Sequence, residues 1–198
     1  MADGMMLVVS GPSGAGKGTL CKRLLDDDQS FRFSVSCTTR KPREGEVHGI
    51  HYYFQDDAEF DRAAQRGMFL EHAVVHGNRY GTLREHVMET ISRGLNVILE
   101  IDPQGARSVI NAEPGCVSVF ILPPTFKELA IRLRTRNTDK PDEIQRRLVN
   151  ARGEIAQMSL YDYIIINDDV DAAFARLQAI VSAEKVSSAR YHPNIPEE

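Results

Sequence analysis

The stretch from residue 5 to residue 19 constrains this chain more than any other. Five apolar residues, Met5 to Val9, lead into Gly11-Pro12-Ser13-Gly14-Ala15-Gly16-Lys17-Gly18-Thr19. A short apolar run bounded by glycines reads as a buried parallel strand. Residues 17–25, with Leu20, Leu24 and Leu25 on one face, read as a helix. Gly11, Gly16 and Lys17 have the spacing of a phosphate-binding loop. Its glycines let the backbone wrap so that successive N–H groups point inward at phosphate oxygens. The following helix adds its positive end, and Lys17 supplies a point charge for the outer phosphates. Strand, glycine turn and helix, in that order, is the context the motif requires. Such loops usually place Ser or Thr directly after the lysine to hold Mg²⁺. Here that position is Gly18, so Thr19 becomes the candidate metal contact.

The remaining pattern supports an α/β fold. Apolar runs at 95–101, 116–122 and 163–166 read as strands. Helical patterns at 102–111, 125–134, 142–158 and 170–189 alternate with them. That alternation predicts a parallel sheet flanked by helices on both faces, and 198 residues suit one such domain. Residues 36–83 break the alternation and read as an inserted subdomain. Within it the pattern predicts a loop over 36–49, a strand over 52–54, a helix over 56–66 and a strand over 69–76. Short strands are also expected at 33–35, and a helix from Thr82 to Arg93. A second, smaller insertion spans 134–147. The core is then 1–35, 84–133 and 148–190.

A phosphate loop implies a nucleoside triphosphate but not what accepts its phosphoryl group. The insertion speaks to that. Arg40 and Arg43 lie three residues apart in a polar loop, and the planar guanidinium fork matches phosphate oxygens. Tyr52 and Tyr80 add hydroxyl donors. Glu71 stands among apolar residues, where a carboxylate needs a partner. The N1–H and exocyclic amine of guanine form a donor pair suited to it, and Ser36 and Thr82 supply hydroxyls for the base edge. Taken singly, each residue reads as solvated surface or packing; the combination points to a guanine nucleotide.

The runs GPSGAGKGTL, SCTTRKPREGEVHGIHYYF, FLEHAVVHGNRYGT and ILEIDPQGA resemble guanylate kinases in order and spacing over nearly the whole chain. The resemblance implies a P-loop kinase fold with core, GMP-binding and lid parts, using ATP, Mg²⁺ and GMP, with dGMP as a further acceptor. It implies that Ser36, Glu71 and Thr82 read guanine, and that Arg40, Arg43, Tyr52 and Tyr80 hold the GMP phosphate. Glu100 and Asp102 would contact GMP or organise the Mg²⁺ shell. Arg136 and Arg147 would reach the triphosphate from the lid, and Asn167 would lie near adenine. Thr82 and Glu100 stand where the family often has Ser and Asp, which preserves a hydroxyl and a charge. Asn137 replaces a glycine usual after Arg136. Arg132 and Arg152 read instead as a solvated basic face.

Composition limits the alternatives. The net charge of −4 gives no field for nucleic acid. Cys21, Cys37 and Cys116 lack metal-ligand spacing and are odd in number, which favours reduced thiols and a cytoplasmic setting. No apolar run is long enough for a membrane span. Two other functions compete: a different nucleoside monophosphate kinase, and a catalytically silent module of the same fold that binds partner peptides. Neither fits an intact Lys17 combined with the arginine loop and Glu71. Oligomeric state is not encoded in any pattern here.

Overall fold

The computed structural model describes residues 4–75, 77–135 and 141–193. Along the chain run β1 (Met6–Ser10), α1 (Lys17–Asp27), β2 (Phe31–Phe33), β3 (Cys37–Thr38), β4 (Tyr53–Phe54) and α2 (Asp57–Gln65). There follow β5 (Phe69–Val75), β6 (Asn78–Leu83), α3 (Arg84–Ser92), β7 (Asn96–Glu100), α4 (Pro103–Ala112) and β8 (Val117–Leu122). The last elements are α5 (Phe126–Thr135), α6 (Pro141–Ile155), β9 (Tyr163–Ile166) and α7 (Val170–Lys185).

Five strands form a parallel sheet in the order β2-β7-β1-β8-β9. The period of two along each strand divides the core between its faces. Leu7, Val9, Ile98, Val119 and Ile121 point to one face, where Leu20 and Leu24 of α1 and Phe174 and Leu177 of α7 cover them. Met6, Val8, Val97, Leu99 and Phe120 point to the other, against Val87 of α3 and Ala106 and Val109 of α4. Burying a side chain of this size contributes about 1.5–3 kcal/mol, so each layer is held by many such increments. In open sheets of this kind ligands gather beyond the carboxyl ends of the strands. The phosphate loop follows β1 there, Glu100 ends β7, and Asn167 follows β9.

A second sheet, in the order β4-β3-β6-β5, is built wholly from residues between 37 and 83. Strands β5 and β6 pair antiparallel. Phe60 of α2 stacks on Phe69 of β5 at 4.5 Å between ring centres. Asp56 and Glu59 close a reciprocal capping box at the start of α2.

Three differences from the sequence expectation bear on the site. The strand expected at 33–35 lies at Phe31–Phe33, where it joins the edge of the parallel sheet beside β7. The loop expected over 36–49 contains β3, which Gly81 and Tyr80 of β6 pair with. Thr82 is not helical: it is the penultimate residue of β6, paired directly with Glu71. Pairing across the sheet outweighs the helical pattern there, and α3 starts only at Arg84. The break expected at 137–141 and the residue Arg136 lie outside the described residues, apart from Pro141 at the start of α6. His76, expected to end β5, also lies outside them.

Candidate active site

The phosphate loop takes up the conformation its glycines permit. Gly11, Gly14 and Gly16 have φ of 138°, 89° and 97°, a region closed to most side chains. Lys17 opens α1 and folds its Nζ back onto the carbonyl oxygens of Gly11 at 2.6 Å and Pro12 at 3.1 Å. Burial lowers its pKa, while the carboxylates of Glu100, Glu154 and Asp102 favour its charge.

Asn167 proves to be part of the loop's support. It is 5 % exposed, and its Nδ2 donates to Ala15 O at 2.8 Å. Gly16 lies so close that a side chain there would collide with that amide. Asn167 also lines a cavity of about 620 Å³ with Gly14, Gly16, Thr19 and Arg132. Arg132 is not the solvated cation expected. It donates to Asn167 O at 3.0 Å and to Glu128 at 3.0 Å, which ties α5 to the chain after β9. Thr19 opens onto this outer cavity. Thr19 lies on the Gly14–Gly16 side of the loop, one residue beyond Gly18, which faces the chamber beside Lys17.

The insertion contributes a second cavity, of about 220 Å³, lined by Ser36, Tyr52, Glu71, Tyr80, Glu100 and Asp102 among others. Glu71 forms its floor at 6 % exposure and accepts a 2.6 Å bond from Thr82 Oγ1. Burial pushes its carboxyl up to about 7; the Thr82 hydroxyl acts against this, and the charge of Asp102 adds to it. Asp102 caps α4 by accepting from Gly105 N at 3.0 Å. Burial raises its pKa as well, with that bond opposing.

Arg40 is held in place by a residue the motif reading passed over. Glu46 accepts from both Arg40 terminal nitrogens, at 2.8 and 3.0 Å, and from Arg43 N at 2.7 Å. The Arg40 bond draws the Glu46 carboxyl down to about 2, against some desolvation, and the Arg43 N–H assists. A fork-to-fork pair of this kind fixes the guanidinium plane. The same guanidinium lies 5.3 Å from the Tyr52 ring centre, and Tyr52 meets Tyr80 edge-on at 6.0 Å.

A chamber of about 320 Å³ joins the two halves. The phosphate loop at Ser13, Lys17 and Gly18 forms one wall, Arg43, Tyr52 and Tyr80 another, and Glu100 and Asp102 the base. Arg147 of α6 closes the remaining side, donating to Ser13 Oγ at 3.1 Å. Glu154 lines it too. Sequence reasoning missed Glu46, Glu154 and Gly105. Of these, Gly105 alone carried a local signal, as a glycine inside a helical pattern.

Among the described residues no group of three His, Cys, Asp or Glu is arranged to hold a metal. Glu100 and Asp102 are hard oxygen donors beside the phosphate loop. They suit an Mg²⁺ ion that keeps most of its waters and is carried by substrate phosphates. Among the described residues no helix is long and apolar enough to cross a membrane.

Comparison with known proteins points to one family. A family model described as guanylate kinase matches residues 3–184. Guanylate kinase from Chelativorans sp. is 50 % identical over 188 residues, spanning 94 % of this chain and 86 % of that protein. Guanylate kinase from Symbiobacterium thermophilum is 48 % identical over 187 residues, 94 % of this chain and 89 % of the relative. The crystal structure of guanylate kinase from Anaplasma phagocytophilum superposes with a TM-score of 0.79 at 36 % identity, covering 96 % of this chain and 90 % of that one.

Proposed function

The chain belongs to the guanylate kinase family, and from that premise we propose how its residues divide the work. The enzyme is an ATP:GMP phosphotransferase. It moves the γ-phosphoryl group of ATP to GMP and yields ADP and GDP. The observation that carries the division of labour is the shared chamber, in which phosphate-loop, insertion and α6 residues face one another.

Two polyanions must meet there. The phosphate of GMP has a second pKa of about 6 and is largely dianionic at neutral pH. It is already a nucleophile, so no side chain has to remove a proton. Alignment and neutralisation remain. Gly11 to Gly18 cradle the ATP phosphates with backbone N–H groups, and Lys17 exchanges its two loop carbonyls for phosphate oxygens. Asn167 and Thr19 contact the donor nucleotide from the outer cavity. Glu71, Thr82 and Ser36 read guanine. Arg40, Arg43, Tyr52 and Tyr80 hold the acceptor phosphate in line with the γ-phosphorus, and Glu46 keeps Arg40 oriented. Arg147 spreads charge from the transferring group, joined by Arg136 on the family pattern.

Glu100 and Asp102 would hold Mg²⁺ through its waters, and the ion would supply charge neutralisation between the donor phosphates. The core comprises 1–35, 84–133 and 148–190, the GMP-binding part 36–83 and the lid 134–147. A cytoplasmic setting fits three buried, free cysteines, and dGMP should serve as a second acceptor.

Transfer from γ-labelled ATP tests this reading. Label should appear in GDP when GMP is present. Label released only as inorganic phosphate would contradict it.

A further inference from the structure

Helix α4 contains a glycine that its backbone does not require. Gly105 sits in the third helical position with no left-handed φ, and glycine is a poor residue for a helix interior. Its use is explained by what lies outside the helix. A Cβ built at Gly105 would come within 3.0 Å of Glu71 Cδ, and closer still to Glu71 Oε2. Helix α4 lies directly against β5 here. The two carboxylate oxygens of Glu71 are therefore fixed separately. Oε1 accepts from Thr82 Oγ1 at 2.6 Å, and Oε2 occupies the space that a side chain at 105 would fill.

We propose that Gly105 is a positioning residue for acceptor specificity: its missing side chain lets a core helix set the plane of the Glu71 carboxylate for a two-donor base edge. The proposal rests on the reading of Glu71 as the guanine contact. A methyl group at 105 meets the far end of the Glu71 side chain first and Asp102 Oδ1 only at 3.1 Å, so the Glu71 carboxylate turns while the Asp102 cap gives slightly. Turning the carboxylate spoils a paired contact to N1–H and the exocyclic amine. It harms a purine lacking that amine far less.

The test compares Gly105→Ala, Glu71→Gln, Glu71→Asp and the double variant Gly105→Ala/Glu71→Asp with wild type. The readouts are KM for GMP, IMP and ATP, kcat, and thermal midpoint. For Gly105→Ala the GMP KM should rise about tenfold or more, the size of a lost bond to a charged group. The ATP value should hold and the IMP value should rise much less than the GMP value, so that GMP-over-IMP preference falls. The thermal midpoint should hold or rise. In the Glu71→Asp background, whose shorter carboxylate avoids the methyl, the same substitution should cost much less; such non-additivity marks direct contact.

An unchanged GMP-over-IMP preference in Gly105→Ala overturns the proposal, as do additive effects in the double variant. If Gly105→Ala lowers GMP, IMP and ATP use together, or lowers the thermal midpoint, glycine serves packing alone and the proposal fails. Glu71→Gln separates the two levels. If it leaves GMP KM unchanged, the guanine reading itself fails; if it raises GMP KM while Gly105→Ala does not, only the role of Gly105 is lost.

Discussion

Glu71 and Thr82 face each other across the β5–β6 ladder, and the Thr82 hydroxyl donates to Glu71 Oε1 at 2.6 Å in a buried site. A carboxylate with one oxygen bonded in this way keeps acceptor capacity for a ligand. Replacing it by Gln keeps the shape and converts one acceptor to a donor. Glu71→Gln should raise the KM for GMP roughly 10- to 100-fold while leaving the KM for ATP unchanged, because a buried donor of guanine then lacks its charged partner. Steady-state kinetics with each substrate varied in turn checks this, and an unaltered GMP KM sinks the assignment.

Burial pushes the same carboxyl up to about 7, and this has two consequences of definite sign. Guanine donors need the ionised form, so GMP binding releases a proton below that pH. The affinity for GMP should fall about tenfold per pH unit on the acid side of neutrality. For the unliganded protein the raised pKa means stability present below the ordinary value of 4.5 and lost as pH rises through about 7. The loss is roughly 3 kcal/mol. Calorimetric proton release on GMP binding, measured in two buffers of different ionisation enthalpy, checks the first. Denaturant melts of wild type and Glu71→Gln from about pH 4 to pH 8 check the second: the pH-dependent difference should vanish in the variant.

Glu46 binds Arg40 by both terminal nitrogens and lines none of the three cavities at the site. Glu46→Ala should free the guanidinium to turn and weaken acceptor binding, raising GMP KM roughly 3- to 10-fold with ATP KM intact. Equal effects on the two substrates would show that Glu46 supports the fold rather than Arg40.

Lys17 opens α1 at the phosphate loop, and its Nζ donates to Gly11 O and Pro12 O. Its ammonium is also disfavoured by burial. Lys17→Ala should therefore lower kcat by about 10³ or more while leaving the thermal midpoint level or slightly raised. Near wild-type turnover would mean that the loop does not carry the transferring charge.

The phosphate loop and the central strands were legible in sequence because both rest on local pattern. Residues 6–10 are apolar without a break, and the glycines of the loop are spaced by the backbone they must form. The positions of Glu71 and Thr82 were legible only as types. A helical pattern ran through Thr82, and only the ladder to β5 makes it a strand residue. Glu46 lay in a loop rich in charge, where nothing local separates a bidentate partner from a solvated acid. Arg132 reads as surface in the sequence because its acceptor, Asn167 O, is distant along the chain. In each case the missing information was tertiary contact, which periodicity does not encode.

In this enzyme the insertion's floor would select the base, and the shared chamber would join it to ATP. The most direct test is ADP production from ATP and Mg²⁺, with GMP, dGMP, AMP, CMP or UMP offered separately. Fast turnover with GMP, a slower rate with dGMP and background rates with the other three are predicted. Comparable turnover with AMP or a pyrimidine nucleotide would contradict the role of Glu71, and no turnover with any acceptor would contradict the account of the chamber.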